Sequence, residues 1–256
     1  MRRRDTREER QGPQTGPADG ALVIFAKAPI PGQVKTRLCP PLTPDEAATL
    51  HGTFVLDQLE RSKAAIAKFR LPVERVLACA PSSAHVFFKI MAERQGVRLL
   101  DQEGDDLGAR MHASFVHLFE DGGFKRVVVI GTDVPSLPLT HYRQAFESLA
   151  TQDLVLGPAQ DGGYYLIGLT RPMGGLFHDI PWSTDGVLAA TRERAAGLGL
   201  KTALLPAWRD VDTLDDLRAI IQDSAADAAR PQAERNFSMR TAGALSLIGK
   251  RLRTRS

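Results

Sequence analysis

Ala21-Leu22-Val23-Ile24-Phe25-Ala26-Lys27-Ala28-Pro29-Ile30-Pro31-Gly32-Gln33-Val34-Lys35-Thr36-Arg37-Leu38 joins a short apolar run to a cationic loop. A run of this length, rich in Val, Ile and Leu, reads as a buried strand. The loop behind it carries Lys27, Lys35 and Arg37, while Pro29, Pro31 and Gly32 restrict and shape its path. Open α/β sheets bind ligands outside the C-terminal ends of their strands. Three cations on a stiff loop at such a place suit a polyphosphate, with Arg37 able to engage it through two parallel N–H groups. The loop matches neither the Walker pattern nor G-x-G-x-x-G. A solvated connection whose cations merely face water is the plainer alternative.

Working outward, further apolar runs recur at 73–79, 97–100, 126–131, 154–157, 164–169 and 201–205. Thr43-Pro44-Asp45-Glu46 is a capping box with proline at the first helical position. It predicts a helix to about Phe69, with Ala47, Leu50 and Phe54 on its core face. Leu107, Met111, Phe115 and Leu118 predict a second. Strands and helices alternating in this way predict a mainly parallel, three-layer α/β sheet. The gap between 157 and 164 is too short for a helical crossover, so those strands should form a hairpin or an irregular turn.

The chain has 256 residues, 43% of them hydrophobic, enough for one sizeable core. Its surplus of basic over acidic residues lies in the termini. Residues 1–20 hold five Arg against four acids and residues 230–256 seven Lys or Arg against Glu234, while 21–229 carry a net charge of −4. That distribution argues against a nucleic-acid-binding body. The expected organisation is a basic, polar tail at 1–20, one catalytic domain at 21–222, and a basic tail at 223–256 that includes a short amphipathic helix or frays. Weak contact of this last segment with a membrane surface is compatible with its charge. Cys39 and Cys79 suggest neither a disulfide framework nor a zinc site. No run reaches membrane-spanning length and residues 1–20 lack an apolar signal region, so a cytoplasmic location is expected.

Three further segments carry carboxylates. Val127-Val128-Val129-Ile130-Gly131-Thr132-Asp133 ends a strand in an Asp that could hold Mg²⁺ against phosphates, or simply begin a proline corner. Gly157-Pro158-Ala159-Gln160-Asp161-Gly162-Gly163-Tyr164-Tyr165 places Asp161 on a tight turn where backbone can approach a ligand, though Asp-Gly is also an ordinary hairpin signal. Tyr164 and Tyr165 should face opposite sides of their strand. Asp210-Val211-Asp212-Thr213 puts Asp210 and Asp212 on one face of an extended segment, while Thr213 and Asp216 suggest a helix start. The six histidines are scattered and no nucleophile elbow is present. The pattern favours phosphate and metal electrostatics over nucleophilic catalysis.

With Ile180-Pro181-Trp182-Ser183-Thr184 added, these segments occur in an order that resembles a bacterial glycosyltransferase-A-like family of nucleotide-diphospho-sugar transferase-like proteins, of the arsenosugar-pathway or selenium-domain-associated type. The likeness runs from Leu22 to Leu217. It implies a three-layer Rossmann-like glycosyltransferase-A fold, Mg²⁺ or Mn²⁺ as cofactor, and a nucleotide sugar or nucleoside triphosphate with a small-molecule acceptor as partners. By the same resemblance Lys27, Gly32, Lys35, Arg37, Asp106, Gly108 and Arg110 would bind the nucleotide. Asp133 and Asp212 would bind metal, Asp161 would be catalytic, and Gly162, Gly163 and Trp182 would border sugar or acceptor. Two departures are visible. Glu103-Gly104-Asp105-Asp106 has an additional acidic residue against the usual Gly-Asp-Leu-Gly, and Thr132-Asp133-Val134 lacks the second carboxylate of an Asp-x-Asp. Val34-Lys35-Thr36-Arg37-Leu38 is also similar to the Lys-Ser-Arg-Leu of phospholactate guanylyltransferases. Nucleotidyl transfer to a phosphorylated small molecule is therefore an alternative, and a non-catalytic nucleotide-sugar-binding protein is another.

Overall fold

A computed structural model describes residues 18–254. The expected tail at 1–20 therefore lies almost wholly outside the described residues. Seven strands form one sheet: β1 (Gly20–Lys27), β2 (Val73–Ala80), β3 (Arg98–Asp101), β4 (Arg126–Ile130), β5 (Leu154–Pro158), β6 (Tyr164–Leu169) and β7 (Thr202–Leu204). Their order is β3-β2-β1-β4-β6-β5-β7. All neighbours pair in parallel except β6, which runs antiparallel to β4 and β5. The fold is thus the mainly parallel α/β sheet expected, with each predicted strand present and the β5–β6 hairpin where the short gap required it.

Strand alternation divides the core. Leu22 and Ile24 of β1 face one side with Leu77, Val128 and Ile130, under α1 (Pro44–Phe69), α2 (Val86–Gln95) and α4 (Leu139–Ser148). Ala21 and Val23 face the other with Val76, Val127 and Val129, under α3 (Leu107–Glu120) and α5 (Val187–Gly197). Fully burying such side chains contributes about 1.5–3 kcal/mol each, which is why a period of two settles the register. Tyr165 packs with the first cluster and Tyr164 against the second, on opposite faces as their adjacency demands.

The α1 capping box forms as expected, Thr43 accepting from Glu46 N and Glu46 accepting from Thr43 N. Met111, Phe115 and Leu118 of α3 are buried, whereas Leu107 is 47% exposed because it lies at the helix mouth. Thr213 and Asp216 form a second capping box that starts α6 (Leu214–Asp227). This helix continues past residue 222, and Asp227 then accepts from the Asn236 and Phe237 amides, turning the chain back. In the segment 223–256, α7 (Met239–Thr254) lies on α1 and α6, burying Leu245 and Phe237 against Leu50, Phe54 and Ile220. Asp57 of α1, fully buried, accepts from Ser238 Oγ, Thr241 Oγ1 and Arg240 Nη1. Among the described residues no helix is long and apolar enough to cross a membrane.

Candidate functional site

The strand order reverses beside β1, with β2 on one side and β4 on the other, so the connections leaving β1 and β4 open a crevice at their C-terminal ends. The loop after β1 passes through Gly32, exposed with φ +76, into a short 3-10 turn at Thr36–Leu38. It sorts its cations into two kinds. Lys27 and Arg37 are exposed and neither forms an ion pair among the described residues. Lys35 points inward instead. Its Nζ lies 2.8 Å from both Asp133 Oδ1 and Asp212 Oδ1 and donates to the Val211 carbonyl, with its side chain 4% exposed. A Val211 N–H bond to the Asp133 carbonyl at 3.0 Å completes the junction between the β4 end and the segment before α6.

Charge balance follows from this geometry. Burial opposes the charge on Lys35, but Asp133 and Asp212 outweigh it and hold the ammonium above its usual pKa. Burial likewise opposes the carboxylate of Asp133, and Lys35 more than offsets it, holding the group below the usual range. His51 of α1 closes the other side. Its Nε2 lies 3.0 Å from the Lys27 carbonyl, which can only accept, so the proton resides on Nε2. Nδ1 is left buried without a partner, 4.0 Å from Asp133 Oδ1. Burial lowers the pKa of His51 despite that carboxylate.

Asp161, Asp210 and Asp212 bring carboxylate oxygens within 4.8 Å of one another. Asp161 comes from the β5–β6 turn, where its Oδ1 accepts from Gly163 N at 2.9 Å. Asp210 and Asp212 share a face of the segment after β7, as alternation predicts. Burial, then Asp161 and Asp212, push Asp210 up to about 7. Three converging carboxylates of which one resists ionisation form a hard-oxygen donor set, and they could hold Mg²⁺ or Mn²⁺. Asp133, expected to share metal binding with Asp212, falls outside this group and rests on Lys35. Asp216 holds the segment in place, accepting from the amides of Asp212 and Thr213.

The remaining expected residues assemble at the start of α3. Asp106 is the N-cap, accepting from Ala109 N at 2.8 Å, while Asp105 is exposed and precedes the helix. Arg110 Nε donates to the Gly104 carbonyl at 2.9 Å. Gly108 lies directly beneath the Trp182 ring, with no space for a β-carbon. Gly162, at φ +89, packs against the Asp185 backbone, and Leu188 N donates to the Gly162 carbonyl at 2.9 Å. The segment 181–188 therefore links the α3 group to the carboxylate group. Gln102 also belongs here: its Nε2 donates to the carbonyls of Ala26 at 3.2 Å and Ala78 at 2.8 Å, binding the end of β3 to β1 and β2. Sequence reasoning singled out neither His51 nor this role of Gln102. The only available signal for His51 was its place beside Leu50 on the inner stripe of α1.

Comparisons agree with this architecture. A family model described as "Uncharacterized protein conserved in bacteria (DUF2064)" matches residues 64–184. A crystal structure from Desulfovibrio desulfuricans G20, provisionally assigned as a nucleotide-diphospho-sugar transferase, is 32% identical. It superposes with a TM-score of 0.79 over 93% of this chain and 98% of its own. A cytidylyltransferase from Leptospira borgpetersenii is 16% identical with a TM-score of 0.52, over 91% of this chain and 94% of its own, which shows a shared fold. No curated protein matches the sequence significantly.

Proposed function

The chain belongs to the same family as the Desulfovibrio desulfuricans protein, and we propose that it is a transferase using a nucleotide-activated donor, specifically a metal-dependent glycosyltransferase acting on a nucleotide-diphospho-sugar. One observation carries the reading: the loop after β1 bears Lys27 and Arg37, exposed and without an ion pair among the described residues, and Lys35 of the same loop reaches Asp212 of a three-carboxylate cluster. Free cations recognise the donor diphosphate. Clustered acids have no use for an anion unless a cation lies between them.

In this reading Lys27 and Arg37 take the diphosphate, and Asp161, Asp210 and Asp212 would hold Mg²⁺ or Mn²⁺. When bound, that ion neutralises charge developing on the departing diphosphate. Asp161, exposed at the turn, orients the acceptor hydroxyl, while Gly162, seated against the Asp185 backbone, and Gly163 shape the turn that borders the sugar or acceptor. Trp182 offers a flat apolar face to a sugar ring, and the α3 N-terminus with Asp106, Gly108 and Arg110 borders the nucleoside. The Desulfovibrio protein's provisional assignment supports this choice of donor.

The test is a thermal-shift screen of nucleotide sugars and nucleoside triphosphates with Mg²⁺ or Mn²⁺, followed by product analysis. A ligand at a hundred times its dissociation constant adds about 2.7 kcal/mol, a shift of a few degrees at this size. Release of a nucleoside diphosphate from a nucleotide sugar supports glycosyl transfer. Nucleotidyl transfer is the second reading, favoured by Asp133 standing alone at the β4 end without an Asp-x-Asp partner. Pyrophosphate release from a triphosphate would select it. Binding with no turnover of any donor would reduce the protein to a nucleotide-sugar-binding module.

A further inference from the structure

Lys35 adopts a left-handed backbone conformation, φ 51 and ψ 35. For an L residue with a side chain this conformation is strained, and it persists only where surrounding contacts over-determine it. The contacts here are three oxygens on one ammonium: Asp133 Oδ1, Asp212 Oδ1 and the Val211 carbonyl. An ammonium has three donors, so every one is used. A phosphate could recruit Lys35 only by stripping this buried ammonium from two half-buried carboxylates.

Two carboxylates and a backbone carbonyl are the oxygen donors that hard divalent ions take. The unpartnered His51 Nδ1, with His51 only 5% exposed, faces the same gap from 4.0 Å beyond Asp133 and adds a neutral imidazole donor of a kind that suits transition ions. We propose that Lys35 is a tethered cation occupying the position between Asp133 and Asp212 that a divalent ion would otherwise fill, so that Asp133 is not a metal ligand in this protein. One consequence rests on the function proposed above: a single divalent ion per chain serves that reaction, held by Asp161, Asp210 and Asp212. The occupancy of the Asp133–Asp212 position by Lys35 does not depend on it.

The experiment counts Mn²⁺ ions per chain, by isothermal titration calorimetry and by the electron paramagnetic resonance signal of free Mn²⁺, in the full-length wild type, Lys35→Met and Asp133→Asn. Lys35→Met is expected to bind one more Mn²⁺ per chain than the wild type. Asp133→Asn is expected to keep the wild-type count and an affinity within three-fold. An unchanged count in Lys35→Met, or a larger loss of Mn²⁺ affinity in Asp133→Asn, overturns the proposal. If Lys35→Met does not fold alone, recovery of a cooperative melt on adding Mn²⁺ supports it and failure to recover overturns it. The readout is a difference between variant and wild type, so an absence of nucleotide binding would sink the transferase reading while leaving this result to stand or fall separately.

Discussion

Gly162 presses its backbone against the carbonyl of Asp185, and its φ of +89 lies where side-chain-bearing residues rarely go. The turn that carries Asp161 is therefore shaped by a residue without a β-carbon, and the segment behind Trp182 is its backstop.

Gly162→Ala must accept both a strained backbone and a collision with Asp185. The expected loss is about 2–4 kcal/mol in urea unfolding, from the conformational cost together with overpacking. Asp161 should also shift, so the Mn²⁺-induced thermal shift should fall. Gly32→Ala is the control. Gly32 has φ +76 but nothing within 4 Å of a built β-carbon, so only the conformational cost of about 1 kcal/mol applies.

Asp210 makes stability depend on pH in a direction set by its raised pKa. Unfolded, the carboxyl titrates near 3.8, while folded it keeps its proton to about 7. The folded state binds the extra proton between these values, so this contribution is complete below about pH 4 and lost as pH rises through 7. A divalent ion replaces the proton. The Mn²⁺-induced rise in Tm should be larger at pH 8 than at pH 5.5, and Asp210→Asn should flatten both dependences. An equal Mn²⁺ shift at the two pH values would contradict the clustering.

Lys27 and Arg37 are exposed and form no ion pair among the described residues, so removing either should change the melting temperature by no more than about a degree, a shift within the usual range for surface substitutions. Affinity for pyrophosphate with Mg²⁺, measured by calorimetry, should drop about ten- to a hundred-fold for each of Lys27→Ala and Arg37→Ala, the size of a charge-assisted hydrogen bond. Unchanged affinity in both would remove the diphosphate role of the loop.

Asp57→Ala leaves Arg240, Ser238 and Thr241 without their buried acceptor. The expected cost is about 3 kcal/mol. Because Asp57 secures α7 on α1, hydrogen exchange should accelerate along residues 236–254 before it does in the sheet.

Much of this architecture was legible because it is encoded locally. Short apolar runs marked all seven strands within a residue or two of their ends, and reciprocal Thr–acid pairs three residues apart marked the starts of α1 and α6. The five residues between β5 and β6 required a hairpin whatever else the chain did. Likewise, Asp210 and Asp212 share a face because extended backbone alternates.

What needed the tertiary structure was every relation between segments far apart in the chain. Lys27, Lys35 and Arg37 are chemically alike in sequence, yet only Lys35 is turned inward, because Asp133 and Asp212 arrive beside it from the β4 end and the segment before α6. Asp161 meets Asp210 and Asp212 instead of Asp133 because β6 runs antiparallel between β4 and β5 and carries its turn across the crevice. His51 was one of six scattered histidines until the fold brought the Lys27 carbonyl of β1 to it. Sequence alone determined the sheet, its layers and the cationic loop at its edge, since backbone periodicity and capping are set by near neighbours. Which carboxylate pairs with which cation was decided by strand order and register, which no local pattern records.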